Sequence, residues 1–211
     1  MRRLRVAPLL VSLLCIIGSS ATAQVAQRPR LTMGASHFIF ARYASVGASA
    51  MYAGYSLGPA GLVIGLVDNP RSTYRELIAG GFTRVARGNQ GATMAVTYAS
   101  ASDAPYIQVY VNPSLSYGRL SLSGSAEQYL PLDGDGTREL DFNPVTLLLR
   151  LHRLISVGAA YTVAMPHGSE TKQRLGPAVE LTIPHGTLAV EVLRNLNRGV
   201  AEVRVALTTA F

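Results

Sequence analysis

Apolar and polar positions alternate with a period of two along most of the chain. Val203, Val205, Leu207, Thr209 and Phe211 share one parity, while Glu202, Arg204, Ala206, Thr208 and Ala210 share the other. Leu188, Val190 and Val192 oppose Thr187, Ala189 and Glu191, and Val179, Leu181 and Ile183 oppose Ala178, Glu180 and Thr182. The same alternation runs from Ile155 to Met165 and from Thr93 to Ala99. Such a period places successive side chains on opposite faces of an extended strand, so these runs predict strands with one apolar face. Reversal signals separate them: Gly88-Asn89-Gln90-Gly91, Ser102-Asp103-Ala104-Pro105, Asn112-Pro113-Ser114, Asp133-Gly134-Asp135-Gly136, Pro166-His167-Gly168-Ser169 and Pro184-His185-Gly186. Twelve strands are predicted, over 31–41, 45–56, 60–68, 73–87, 91–101, 105–112, 115–130, 137–151, 153–165, 174–184, 187–195 and 199–211. Ten is the competing count, because Gly and Ala blur the first three and residues 62–67 are apolar on both faces.

Composition narrows the class. Only 15% of the 211 residues are charged while 48% are hydrophobic, which excludes a disordered chain. A single cysteine, Cys15, excludes a disulfide scaffold. The +7 formal charge comes from dispersed arginines, and Lys172 is the only lysine, so no nucleic-acid partner is expected. Beyond residue 23 the longest apolar run, 58–67, is too short for a membrane helix. The start of the chain reads as an address. Met1–Arg5 is basic, Val6–Ile17 is almost wholly apolar, and Ala21-Thr22-Ala23 offers a small-residue cleavage site, the layout of a secretory signal peptide over 1–23. Residues 24–30 are then expected to form a short N-terminal periplasmic segment, and 31–211 the strand-rich barrel domain.

Three features decide which face of the strands is buried. The polar face is made mainly of Ser, Thr, Ala and Gly, whereas a solvated outer face carries Lys and Glu freely. The connections alternate in length: reversals at 112–114, 152–153 and 184–186 are tight, and those at 131–138 and 166–173 are longer and more polar. The last run, Val203-x-Val205-x-Leu207-x-Thr209-x-Phe211, resembles the terminal strand of bacterial outer-membrane β-barrel proteins, of general porin-like and OmpA-like architecture. That resemblance implies a closed antiparallel transmembrane β-barrel in the bacterial outer membrane, with short turns on the periplasmic side. It also implies that Phe211 belongs to an assembly signal read by the barrel-insertion machinery, and that outer-membrane lipid is the barrel's surroundings. A twelve-strand barrel with strands ~4.8 Å apart and tilted ~40° has a backbone radius of about 12 Å. Tyr43, Tyr52, Tyr74, Tyr98, Tyr106, Tyr117 and Tyr129 fall near strand ends, where an aromatic girdle is expected.

Parity points Arg119, Glu127, Arg150, Glu180, Glu191, Glu202 and Arg204 into the lumen as a candidate charge network. With two-residue turns at 185–186 and 196–197, Glu180, Glu191 and Glu202 would form a row across three strands, ~5 Å apart. Like charges so placed need partners or protons. Enzymes on this fold would need a nucleophile and a base. His152 and His185 lie in tight turns, and His167 with Ser169 lies in a Gly-containing loop that reads as plain loop polarity. Asp133, Asp135, Glu139 and Asp141 lack the spacing of a calcium loop. No catalytic residue, metal ligand or cofactor is assigned, and the oligomeric state is left open. The expected function is non-enzymatic: a structural barrel or a narrow small-solute or ion channel. The alternatives are a barrel enzyme acting on outer-membrane lipid or peptide, and a soluble periplasmic ligand-binding β-domain.

Overall fold

The computed structural model describes residues 35–69, 71–102, 104–133 and 138–211. The leader expected over 1–23 and the segment 24–30 lie outside the described residues, as does the start of the first expected strand. Twelve strands follow in order: β1 (Ala35–Ala44), β2 (Ser49–Leu57), β3 (Ala60–Asp68), β4 (Arg75–Arg87), β5 (Gln90–Ala101), β6 (Pro105–Tyr117), β7 (Leu120–Pro131), β8 (Glu139–His152), β9 (Ile155–Pro166), β10 (Lys172–Ile183), β11 (Gly186–Asn195) and β12 (Ala201–Ala210). Each pairs antiparallel with its chain neighbours, and β1 closes on β12 to give a closed barrel. The closing seam runs from Phe38↔Ala210 to Ala44↔Arg204. It ends in a reciprocal pair of backbone hydrogen bonds between His37 and Phe211, at 3.1 and 2.9 Å. Closure removes the two edges that an open sheet would expose.

Connections sort by end. Five hairpins turn through two residues at one end of the barrel: 58–59, 88–89, 118–119, 153–154 and 184–185. The other six connections hold between three and seven residues and lie at the opposite end. Gly88 and Gly118 open two of the tight turns with φ of 61° and 57°, the positive values that a two-residue hairpin demands at its first position.

The sheet is packed inside out. Leu62, Ile64 and Leu77 point outward and are 69%, 62% and 61% exposed, whereas the polar side chains of Glu76, Thr97, Gln108, Glu191, Glu202 and Arg204 are buried. Two apolar patches line the interior as well. Ala50, Val67, Ile78, Ala99 and Tyr106 pack together on β2–β6, and Leu148, Ala160, Ala178 and Leu193 on β8–β11. The first patch explains why alternation is blurred early in the chain: there both faces carry apolar side chains.

One expected turn is absent. Residues 112–114 do not reverse the chain; β6 runs straight through Pro113, which pairs with Ala92, and the turn comes at Gly118-Arg119. The β6–β7 ladder pauses between Val111↔Ala126 and Ser114↔Ser123, next to the irregularity at Gly124/Ala126 on β7. A proline fits a strand where the ladder is interrupted, because no ladder hydrogen bond is lost there.

Candidate functional site in the lumen

Closure of the barrel creates a lumen, and its chemistry among the described residues falls into three groups of side chains. The first spans β8, β10 and β12. Glu202 sits inside near the loop end of β12, where Arg204 Nε donates to its Oε1 at 2.8 Å and Arg174 Nε lies 2.9 Å from its Oε2. Arg204 also donates to Asn143 Oδ1 from across the interior. Glu202 and Arg204 are almost fully buried, at 3% and 6% exposure. Two guanidiniums on one carboxylate, with an amide accepting from one of them, give a compact cluster of charge-assisted bonds.

The second group spans β4 to β7 with Tyr74 of the β3–β4 loop, again toward the loop end. Glu127 accepts from Tyr129 Oη at 2.7 Å, from Gln108 Nε2 at 3.0 Å and from Ser125 Oγ at 3.1 Å. Gln108 in turn accepts from Thr97 Oγ1 at 3.1 Å. Tyr74 donates to Glu76 at 2.6 Å and lies 3.1 Å from the hydroxyl of Tyr106, whose ring meets Tyr129 edge-on. Here Glu127 is held by neutral hydroxyl and amide donors, with no arginine bonded to it among the described residues.

The third group lies toward the tight-turn end. Phe38 on β1 and Phe82 on β4 meet edge-on, centroids 5.6 Å apart, and the Arg84 guanidinium lies 5.0 and 4.8 Å from their centroids. Both rings lie flat against glycine: a Cβ on Gly54 would come within 2.0 Å of the Phe38 ring, and one on Gly61 within 2.4 Å of the Phe82 ring. Tyr52 rests on Gly65 in the same way, at 2.1 Å. These glycines let large rings line the lumen without standing out into it.

The sequence-expected residues separate among these groups. Glu202 and Arg204 are bonded to each other, and Glu191 stands opposite Arg204 across β11–β12. The row of three glutamates is not formed: Glu180 pairs with Ala189, Glu191 with Ala178 and Arg204, and Glu202 with Leu193. Both hairpins differ from the expected registers. In the first, the turn is Pro184-His185, with His185 taking the positive φ of 63° that Gly186 was expected to supply. In the second, residues 196–200 form a five-residue loop in which Asn195 Oδ1 accepts from the backbone of Asn197 and Arg198, each at 2.9 Å. Glu127 belongs to the second group, away from any arginine bond. Arg119 lies exposed in the Gly118-Arg119 turn rather than in the lumen, and Arg150 reaches back to the carbonyl of Gly118 at 3.0 Å. Four of the expected girdle tyrosines are also elsewhere: Tyr52, Tyr74, Tyr106 and Tyr129 face inward. Tyr43, Tyr98 and Tyr117 face outward and are exposed.

Sequence reasoning missed Arg84, Arg174 and Asn143. Arg174 shares its parity with Glu180 and was within reach of the alternation rule. Arg84 shares its parity with Phe82, so that parity reads as the outward, apolar one. Among the described residues no cluster of His, Cys, Asp and Glu could hold a metal ion.

The fold and its interior thus define a closed antiparallel barrel, apolar without and polar within. No known family profile matches the sequence, and no curated protein matches it. Solved structures do match in fold. The chain is similar to the KdgM porin, with a TM-score of 0.58 over 83% of this chain and 99% of that one, at 10% identity. It is similar to the NanC porin with a TM-score of 0.55 over 83% and 98%, also at 10% identity.

Proposed function

We propose that the protein is a bacterial outer-membrane β-barrel that serves as a narrow, non-enzymatic channel for small solutes or ions. The observation that carries this reading is the inverted packing: buried Glu202, Arg204, Glu191 and Glu76 inside, exposed Leu, Ile and Val outside. Water-exposed, that outer face would be a large apolar patch of the kind monomeric soluble proteins avoid. In hydrocarbon it is solvated, and the closed barrel leaves no open sheet edge. Strands of 9 to 14 residues are long enough to cross when tilted. Similarity in fold to structures described as porins adds support. The N-terminal pattern supports export by a cleaved signal peptide, and outer-membrane lipid is the expected surrounding. Phe211 and its alternating strand are the expected contact for the insertion machinery.

Planar-bilayer conductance of the refolded mature chain tests the channel. Discrete unitary steps are expected. A silent protein in correctly folded form would favour a purely structural barrel, and a stable detergent-free monomer would overturn the membrane reading itself.

A further inference from the structure

We propose that Arg84, set in the corner between Phe38 and Phe82, is a carboxylate-recognition site on the solute path. The proposal rests on the channel reading for its role in transport, and on local geometry for its chemistry. Arg84 shares the inward parity of Glu76, Ile78 and Phe82 and is only partly buried. Its backbone is fixed at the tight-turn end, where its N–H donates to Pro59 O at 2.7 Å. The two rings that meet its guanidinium have no room to withdraw, because Gly54 and Gly61 place them directly on the wall. A Cβ on Gly61 would also fall 2.3 Å from the carbonyl of Tyr55.

The side chain is therefore held by ring faces and not by an acid. Arg84 forms no ion pair among the described residues. Glu76, the acid on the same strand, is eight residues away, about 26 Å at ~3.3 Å per residue. Rings attract the guanidinium through their faces. They do not satisfy its N–H edges, which form a planar fork matched to two coplanar oxygens. A carboxylate fits that fork with one negative charge against one positive charge, and an apolar tail can lie on the adjoining rings. Phosphate would bring a second negative charge and a tetrahedral array of oxygens that the planar fork matches less well.

The test uses the full mature protein refolded in detergent, with acetate as the probe and chloride replacing it at constant ionic strength. Acetate should raise the thermal midpoint of the parent and should reduce its unitary chloride conductance in a saturable way. R84K keeps the charge but loses the fork, so acetate should act about tenfold more weakly, the equivalent of one lost hydrogen bond. R84Q should lose the response, and F82L should weaken it while the charge remains. Heat-modifiable gel mobility shows that each variant is folded. R84Q responding like the parent, R84K responding like the parent, or phosphate acting as strongly as acetate would each overturn the proposal. Acetate stabilisation in a barrel that does not conduct would leave the site standing and remove the channel.

Discussion

A buried charge is worth what its partners make it, and the lumen offers a direct comparison. Glu202 carries two arginines, so Glu202→Gln strands Arg204 and Arg174 in a confined space. Breaking a buried pair in this way costs ~3–5 kcal/mol. Glu191 faces Arg204 with no direct hydrogen bond between the two side chains, so its attraction and its own desolvation largely offset each other. Glu191→Gln should change stability by less than about 1 kcal/mol. Urea midpoints of the two variants in the same detergent check the ordering, and equal losses would mean that the cluster is shared evenly among all its members. Single residues were also where sequence reading reached least far. A tyrosine near a strand end fits a membrane girdle or a lumenal hydrogen bond equally well. Parity would have separated them, since Tyr106 shares its face with Gln108, and Tyr129 with Glu127.

Strands were far more legible than their registers. Twelve runs found by alternation correspond to twelve strands, because the period survives wherever one face is apolar and the other is not. Register depends on which residue takes the left-handed turn position. At 184–185 that residue is His185, and moving the turn by one residue undoes the expected glutamate row. The strands also predict their own sensitivities. Ile64 lies near the middle of β3 and faces outward, so Ile64→Arg should destabilise the barrel by ~2–4 kcal/mol in phospholipid vesicles. Gly176 presents a different constraint: a Cβ there would lie 1.8 Å from the carbonyl oxygen of Val192 on β11. Gly176→Ala must therefore spread the β10–β11 ladder, a strain of about 1–3 kcal/mol, read as an earlier unfolding midpoint. Should Gly176→Ala be neutral, the two strands would have to sit farther apart than they are placed.

The asymmetry of the whole barrel gives the proposed outer-membrane channel a definite orientation to test. All five two-residue turns sit at one end together with the β1–β12 closing contact of His37 and Phe211, and the six longer connections sit at the other. Outer-membrane barrels place short turns toward the periplasm and longer loops outward. Cys15 is the only cysteine in the sequence and lies within the expected leader, so a chain cleaved after residue 23 would provide a thiol-free background. Arg71, exposed in the β3–β4 loop, and Arg153, exposed in the β8–β9 turn, mark the two ends. In intact cells Arg71→Cys should react with a membrane-impermeant maleimide, and Arg153→Cys should react only after the outer membrane is opened. Neither position carries an inward side chain of the three lumenal groups, so both variants should reach normal levels. Labelling of Arg153→Cys alone in intact cells would mean that the barrel is inverted. Equal labelling of both in the soluble periplasmic fraction would show that the apolar outer face is covered by something other than lipid.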